Sequence, residues 1–461
     1  MTTPRSRLLN ITVWLALALV TPQVDAQPSA DSIPSAVLFT NVNVFDGTSA
    51  TLHEHYFVLI RGNVIAKVSA TKPEVAPNTA VTVVDGGGRV LMPGLIDDHW
   101  HTMFVASSPA TVINGDPNFT AIVAAKEAEA TLMRGFTSVR DMAGSSFGLQ
   151  EAIDRGVTAG PRIWPSGAII SQTGGHGDFR TPTDLPASDG DKLPAFIAGG
   201  HSAIADGAPE VYKRSREQLM RGASQLKLGA GGGIVSKYDP IDVAQYSLEE
   251  ITAAVNTADA WNTYVTVHAY TPKAIQTAIQ AGVKCIDHGH LMDDKTAKLM
   301  ANKGIWLSTQ PFLASEEPNP LSPDAQEKEK IVTEGTDRVY ALAKKYHLKT
   351  AFGTDIMFET QKGGADQSKM LVSMTRWYKP FEVLKMATAD NAELLALSGP
   401  RSPYPKKLGV IEEGAYADLL VVDGNPLKNL ELLANPKANL SVIMKDGKFF
   451  KNTLEQSRLT P

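Results

Sequence analysis

The chain has 461 residues, a hydrophobic share of 43% and a formal net charge of −5. That length is enough for a barrel of typical size and a second, smaller unit. The mild charge, without any basic stripe, excludes the strongly basic nucleic-acid-binding class, so we expect no nucleic-acid partner. The single cysteine, Cys285, excludes an intrachain disulfide, and its place in an apolar run predicts a buried, unreactive thiol.

The first 26 residues have the pattern of a signal peptide. Arg5 and Arg7 precede a short apolar stretch over 8–20, and small residues at Val24 and Ala26 occupy the positions that a signal peptidase reads. The apolar stretch is too short to span a membrane comfortably, which predicts no stable membrane anchor. We therefore expect residues 1–26 to be removed and the protein to be secreted, to the periplasm in a Gram-negative source.

Both ends of the remaining chain alternate strand-like runs with turns. The N-terminal segment covers 27–92 and the C-terminal segment covers 405–461, where Asp446-Gly447 predicts a hairpin turn. Neither segment has enough apolar residues to close a core alone. We expect the two segments to combine into one small β domain.

The middle of the chain, residues 93–404, alternates strand-like and helix-like segments. Helix patterns cover 247–260 and 272–281, and such alternation predicts a parallel sheet with crossover helices. Eight units indicate an α/β fold of the (β/α)8 TIM-barrel type. Residues 181–207, rich in Pro, Gly, Ala and Asp, are predicted to be a long loop. The predicted strands lie near 90–99, 136–142, 161–169, 224–229, 263–269, 283–288, 304–309 and 349–355.

His99-Trp100-His101 comes at the end of the first predicted barrel strand. Alternate residues of a strand point the same way, so both imidazoles can reach one metal ion. The motif alone is weak, because His53-Glu54-His55 has the same spacing and is predicted to be an exposed pair. Whether His99 and His101 bind a metal ion therefore has to be judged from other candidate ligands later in the chain.

Four more chemically suitable residues lie in or at the ends of later predicted strands: Lys227, His268, His288 and Asp355. The active site of a TIM barrel lies at the carboxyl ends of its strands. All of these side chains, with His99 and His101, would then converge on one pocket.

Taken together, the motifs resemble the amidohydrolase superfamily, in its branch with two metal ions and a carboxylated lysine. That branch includes prolidase-like, Xaa-Arg dipeptidase-like and ochratoxin-hydrolysing amidase-like enzymes. The resemblance covers nearly the whole mature chain and implies a TIM barrel beside a β-sandwich built from the N- and C-terminal segments. The matching stretches are Pro93 to His101, Thr137 to Gly144, Ser166 to Asp178, the strand around Lys227, Val267 to Tyr270, Ile286 to Gly289 and Gly353 to Asp355.

The resemblance implies two divalent metal ions, Zn²⁺ in the family. His99 and His101 would hold one ion with Asp355, and His268 and His288 would hold the second. A protonated lysine has no lone pair, but CO2 converts its neutral amine to a carbamate, so a carboxylated Lys227 could bridge the two ions. The alternative for Lys227 is a structural lysine paired with an acid. His and carboxylate ligands would also suit manganese or cobalt.

The implied reaction is hydrolysis of an amide in a small-molecule substrate, a dipeptide or an N-acyl amino acid, by a metal-bridged hydroxide. Asp355 would carry the proton to the leaving nitrogen; its alternative is a helix-capping role. His176 and Tyr270 would touch the substrate carbonyl or the oxyanion; their alternatives are a loop-ordering histidine and a packing tyrosine. We also expect a homo-oligomer, and an ion pair between Arg140 and Asp141 inside the barrel.

The chain departs from the family pattern in places. Asp287 stands where Glu is expected, Lys227 is followed by a glycine-rich turn, and the segment from Ser236 to Asp239 is unusual. These changes affect loops around the site, which leaves substrate preference open. The alternative functions are a single-metal cyclic amidase (imidazolonepropionase-like) or deaminase on the same fold, and a non-catalytic exported binding protein.

Overall fold

The computed structural model describes residues 35–185, 192–314 and 322–459. The predicted signal peptide, 1–26, lies outside the described residues. The fold is mixed α/β. Over the three described ranges, every helix is too short or too polar to cross a membrane.

The strands of the described residues fall into three sheets. They are β1 Ser35–Val44, β2 His53–Arg61, β3 Val64–Ser69, β4 Ala80–Asp85, β5 Val90–Pro93, β6 Leu95–Trp100, β7 Phe136–Asp141, β8 Arg162–Pro165, β9 Ile169–Ser171, β10 Ser202–Ile204, β11 Leu226–Gly229, β12 Val265–Ala269, β13 Cys285–His288, β14 Trp306–Thr309, β15 Thr350–Phe352, β16 Leu419–Val422, β17 Leu440–Lys445, β18 Lys448–Asn452 and β19 Gln456–Leu459.

The helices mostly connect the parallel strands. They are α1 Pro109–Asn114, α2 Pro117–Met133, α3 Phe147–Asp154, α4 Ala195–Ala198, α5 Ala208–Met220, α6 Leu248–Ala260, α7 Pro272–Ala281, α8 Asp294–Lys303, α9 Pro323–Glu334, α10 Thr336–Tyr346, α11 Gln367–Ser373, α12 Pro380–Lys385, α13 Asn391–Leu395 and α14 Pro436–Asn439.

The two helices singled out in the sequence are confirmed. α6 begins after Ser247, whose hydroxyl accepts a hydrogen bond from the Glu250 N–H while the Glu250 carboxylate accepts one from the Ser247 N–H. This reciprocal capping fixes the first turn. α7 begins at Pro272 and ends before Gly282, which has a left-handed φ of 102°.

The central strands form two parallel sheets. One has seven strands in the order β10-β9-β11-β12-β13-β14-β15, and the other has the order β6-β7-β8. The Asp355 N–H donates to the His99 carbonyl at 2.8 Å, which connects the segment after β15 to β6. A predicted parallel sheet with crossover helices is therefore confirmed, and it brings the ends of β6 and β15 together.

Two of the predicted barrel strands are each split. The prediction of one strand over 90–99 is wrong because β5 pairs with β1 and β16, whereas β6 pairs with β7. The change of sheet occurs at Gly94, where a Cβ would lie 2.1 Å from the Thr137 hydroxyl oxygen. The strand over 161–169 is interrupted at Gly167, which has a φ of 72° that strongly favours glycine.

The segment 181–207 is not one long loop. Its described part contains α4 and the strand β10, which extends the seven-stranded sheet by pairing with β9. Residues 186–191 lie outside the described residues. β10 has three residues, Ser202–Ile204, and its backbone forms parallel-strand hydrogen bonds with β9.

Strands from both ends of the chain share one nine-stranded sheet. Its order is β18-β17-β16-β5-β1-β2-β3, and β4 pairs with both β1 and β19. The buried Arg162 side chain of β8 binds Asp418 at 2.8 and 3.2 Å and Asp446 at 2.8 Å, and its guanidinium lies 3.9 Å from the Tyr416 ring centre. These contacts attach the parallel sheet of β8 to the nine-stranded sheet.

Candidate metal centre

The structure brings the six predicted metal ligands together at the carboxyl ends of the parallel strands. Side chains at the ends of neighbouring parallel strands face a common region, where α/β enzymes place their sites. The positions are His99 in β6, His101 just after β6, Lys227 in β11, His268 in β12, His288 at the end of β13 and Asp355 after β15. All six are buried or nearly buried.

His99, His101 and Asp355 form the tightest donor cluster. One ligand atom from each lies within 4.8 Å of the other two. Nε2 of His101 is 2.9 Å and Nε2 of His99 is 3.4 Å from Asp355 Oδ1, yet this oxygen makes no hydrogen bond within the described residues. Two nitrogens directed at one unpartnered carboxylate oxygen are a donor set that suits a divalent cation.

Burial keeps several imidazoles neutral, as metal ligation requires. It lowers the pKa of His99 to about 4, with a further contribution from the Lys227 charge against the opposing charge of Asp355. It also lowers the pKa of His268 and His288 well below the usual value. Burial opposes ionisation of Asp355, but its interactions with His99, His101 and Lys227 outweigh burial and lower the pKa of that carboxyl.

His268 and His288 are held by hydrogen bonds that free one nitrogen each. The Gly232 carbonyl can only accept a hydrogen bond, so the His268 Nε2 at 2.9 Å must carry a proton. The lone pair of His268 Nδ1 is then available to bind a metal ion. The Gln310 amide donates to the Ser308 carbonyl, which turns its oxygen toward His288 Nδ1 at 2.7 Å and leaves His288 Nε2 free. The ring centres of the two histidines are 4.4 Å apart.

Lys227 is paired with an acid, which is the alternative that the sequence left open. Its ammonium lies 2.6 Å from Asp287 Oδ2. Asp287 also accepts from Arg140 at 2.8 Å and from the Thr266 hydroxyl at 2.7 Å. Burial lowers the pKa of Lys227, whereas Asp287 opposes the change. Burial disfavours the Asp287 carboxylate, but Lys227 and Arg140 outweigh it and hold its pKa well below the usual range.

The expected ion pair between Arg140 and Asp141 is wrong. Successive residues on a strand point to opposite faces, so Arg140 and Asp141 of β7 have different surroundings. Arg140 binds Asp287, whereas Asp141 accepts hydrogen bonds from the Thr102 N–H at 2.8 Å and the Ser146 hydroxyl at 2.7 Å. Both side chains are fully buried.

Two of the candidate ligands have a backbone conformation that is uncommon outside glycine. His288 has a φ of 77° and Asp355 a φ of 57°. Such strain persists only where the surroundings determine it, and it is concentrated at functional sites. Gly353 permits the approach of the two strand ends, since a Cβ there would lie 2.5 Å from the His99 Cβ.

His176 and Tyr270 adjoin this cluster. The His176 ring stacks on the His268 ring with centres 3.8 Å apart, and a Cβ at Gly233 would lie 1.9 Å from His176 Nδ1. The Tyr270 ring lies 4.8 Å from the His268 ring and 5.1 Å from the His288 ring. The structure thus places both predicted substrate-contacting residues beside the ligands. The glycine-rich turn after Lys227 provides the space for His176.

Gln310 is a candidate functional residue that sequence reasoning missed. It directly follows β14, the seventh predicted barrel strand, where a side chain at the carboxyl end should reach the site. This position at the end of a predicted strand was the sequence signal that could have identified Gln310. Its buried amide orients His288, which is the role that neighbours of metal ligands usually have.

Comparison with known proteins identifies the family. A sequence profile of the amidohydrolase family matches residues 90–449. The chain belongs to the amidohydrolase family. It is a hydrolase that acts on amide bonds.

Individual relatives support this assignment. The chain is 34% identical to ochratoxinase from Aspergillus niger over 383 residues, which are 78% of this chain and 76% of the relative. It is 36% identical to an amidohydrolase of known crystal structure, with a TM-score of 0.81 over 91% of this chain and 100% of the other. A prolidase crystallised with N-methylphosphonate-L-proline is 34% identical, with the same coverage and a TM-score of 0.81.

Replacing Gln310 with Met should weaken metal binding. Met has a similar length but no strong acceptor for His288 Nδ1–H, so the imidazole loses its orientation and one tautomer is no longer favoured. We expect roughly 10- to 100-fold weaker zinc binding, measured by competition with a chelator. The matched control is Gln276→Met, whose amide binds Thr296 on the neighbouring helix. Equal zinc affinity in the Gln310 variant and the wild type would contradict this role.

Proposed function

We propose that the protein is an exported, metal-dependent amidohydrolase that cleaves an amide bond next to a free carboxylate. Its substrate would be a dipeptide or an N-acyl amino acid, cut to release the C-terminal residue. The observation that carries this proposal is the convergence of His99, His101 and Asp355 in one cluster with donor atoms within 4.8 Å. His268, His288 and Lys227 adjoin that cluster.

The substrate class follows from two relatives. One is a prolidase with an N-substituted L-proline as its ligand, and the other is ochratoxinase. Both are at least one-third identical to this chain, and each match covers more than three quarters of the relative's length. These similarities support a peptide-like amide, a small molecule that the buried strand ends can surround.

The residues fit two divalent ions. His99, His101 and Asp355 would hold one ion, the free nitrogens of His268 and His288 would hold the other, and a carboxylated Lys227 would join them. When bound, such ions supply Lewis acidity, which lowers the pKa of water and polarises a carbonyl. We propose zinc as the metal, since neutral imidazoles and carboxylates are its usual oxygen and nitrogen ligands.

Lys227 has surroundings that permit the required neutral amine. Burial disfavours its ammonium form. When the amine loses its charge, Asp287 keeps the guanidinium of Arg140 and the hydroxyl of Thr266 as partners. The carboxylate therefore stays compensated, which supports the reaction of Lys227 with CO2.

Asp355 would carry the proton of the reaction. Its carboxylate takes a proton from the attacking water and passes it to the nitrogen of the breaking C–N bond, because an amine leaves only when protonated. Its Oδ1 lies 2.9 Å from His101 Nε2 and 3.4 Å from His99 Nε2, inside the cluster where that transfer would take place. The nearby His99 and His101 lower the pKa of the carboxyl against the effect of burial, which keeps Asp355 ionised before the attack.

Tyr270 would stabilise the charge that develops on the substrate oxygen. Burial raises the pKa of its phenol well above the usual value, so the hydroxyl retains its proton and can donate. Its ring contacts those of His268 and His288, which fixes its position beside the reacting carbonyl. His176, stacked on His268, would contact the substrate from the neighbouring loop.

We further propose the finer architecture that the sequence indicates. The two parallel sheets would form one (β/α)8 barrel, supported by the hydrogen bond from the Asp355 N–H to the His99 carbonyl. The nine-stranded sheet would be part of a β-sandwich formed by 27–92 and 405–461, beside a barrel over 93–404. Removal of 1–26 would release the protein to the periplasm, and assembly would produce a homo-oligomer.

The substrate carboxylate is the feature to test first. Masking it as the C-terminal amide of the same dipeptide should lower kcat/KM roughly 10- to 100-fold, as the loss of charge-assisted hydrogen bonds does. Dipeptides and N-acyl amino acids, each paired with its amide, provide the comparison. Equal rates for the acid and the amide would reject the requirement for a carboxylate and leave amide hydrolysis itself in place.

One observation favours a second candidate, a single-metal cyclic amidase or deaminase. Lys227 is bound to Asp287, and the three-ligand cluster of His99, His101 and Asp355 is sufficient for one ion. A single-metal enzyme has no use for a bridging lysine.

Metal content separates the two candidates. We expect elemental analysis of the fully active protein to give two divalent ions per chain, and Lys227→Ala to lose metal and activity together. Lys284→Ala, on an exposed lysine that precedes β13, is the control. One ion per fully active chain would favour the single-metal candidate.

A further inference from the structure

The exposed face of α2 carries apolar side chains where a surface helix usually has polar ones. Phe119 is 57% exposed, Ile122 70% and Met133 37%. Among the described residues, no other helix has more than one exposed large hydrophobic side chain. The buried face of α2 is apolar as well, with Ala128 and Leu132. A helix that is hydrophobic on both faces is usually covered on both, which indicates a partner for the exposed face.

Four of the exposed residues form one straight stripe along α2. Ile122, Lys126, Glu129 and Met133 follow one another at intervals of four, three and four positions. At 3.6 residues per turn, this spacing keeps the four side chains within about 60° of one another around the helix axis. The stripe has an apolar residue at each end and one charge of each sign between them. Within the described ranges, neither charged residue makes an ion pair.

This stripe is complementary to a second copy of itself. When two α2 helices lie antiparallel across a two-fold axis, each residue faces the one at the same distance on the other side of the helix midpoint. With the axis between residues 127 and 128, Lys126 faces the partner's Glu129, and Ile122 faces the partner's Met133. Each contact occurs twice, so two ion pairs lie between two apolar pairs. A parallel arrangement would instead place like charges opposite each other.

The surroundings of the stripe favour another helix as the occupant. Ala125 and Ala130 are half-buried and flank the stripe on either side. Such small side chains permit a close approach of two helix axes, at the short end of the usual range of about 8 to 10 Å. The stripe has one positive and one negative charge, whereas an anionic membrane surface would favour several lysines or arginines.

We propose that this face of α2 is a contact between two copies of the chain, paired antiparallel across a two-fold axis. The proposal rests on the homo-oligomer proposed above and is independent of the proposed reaction. A contact of one helix from each copy is small beside the roughly 1,200 to 2,000 Å² of a stable interface. We therefore expect an association that depends on protein concentration.

Introduced cysteines test the orientation of the pair. Metal-loaded Ile122→Cys and Met133→Cys proteins would be mixed and treated with a short bis-maleimide; the native Cys285 is buried. In the antiparallel pair these two positions face each other, whereas the two copies of position 122 lie about 16 Å apart along the axis. We expect cross-linked dimers from the mixture and few from either variant alone. Ile122→Cys mixed with Met220→Cys, at an exposed position of α5, is the matched control.

Charge reversal provides a second readout. Lys126→Glu replaces two attractive pairs with two repulsive ones and should weaken association roughly 10-fold at low salt, measured by sedimentation equilibrium. Adding Glu129→Lys restores opposite charges across the axis and should recover the wild-type association. Lys330→Glu reverses an exposed lysine of α9 and is the matched control. Equal association of the Lys126→Glu and Lys330→Glu proteins would contradict the pairing.

The outcomes separate this contact from the proposed function. Cross-links in the mixture and recovery in the double reversal would support the antiparallel pair even if the protein hydrolysed no dipeptide. A protein that stays monomeric at every concentration would reject a second copy as the partner of α2, and amide hydrolysis by that monomer would leave the proposed reaction standing. Cross-links from Ile122→Cys alone, or oligomers that form none in the mixture, would also overturn the proposal.

Discussion

The site depends on charge compensation among side chains that are almost completely buried. Asp287, Lys227 and Arg140 are all at most 2% exposed, and an uncompensated charge at such depth would cost several kcal/mol. Asp287 satisfies this requirement by accepting from both cations and from Thr266. Because Arg140 stays charged under all ordinary conditions, Asp287 retains one cation whatever the state of Lys227. This redundancy would leave Lys227 free to change its chemistry.

The arrangement of the candidate ligands follows from the positions at which the parallel strands end. The carboxyl ends of β6, β11, β12, β13 and β15 place their side chains around one region. The imidazoles of His288 and His268 are oriented by fixed acceptors, the Gln310 amide oxygen and the Gly232 carbonyl. Left-handed backbone at His288 and Asp355 is the cost of bringing ligands from a strand end into the centre. Hydrogen bonds and close packing around each residue hold that conformation.

The sequence located the candidate ligands better than their surroundings. His99, His101 and Asp355 could be found because each marks the end of an apolar run, and strand periodicity defines the direction of such side chains. Arg140 was assigned to its sequence neighbour, but neighbours on a strand face opposite ways, and its partner Asp287 comes from a strand far along the chain. Gly94 and Gly167 were not recognised as strand breaks, because the steric contacts that require them are made with residues distant in sequence.

The chemical state of Lys227 is the central question. The direct measurement is ¹³C NMR of the metal-loaded protein equilibrated with ¹³C-labelled bicarbonate, with Lys227→Ala as the control. We expect one carbamate signal per active chain, its loss in the variant, and recovery of metal when the protein is reloaded in the presence of CO2. Full activity with two bound ions and no carbamate signal would contradict the bridging role of Lys227 and leave its pairing with Asp287 as its whole function.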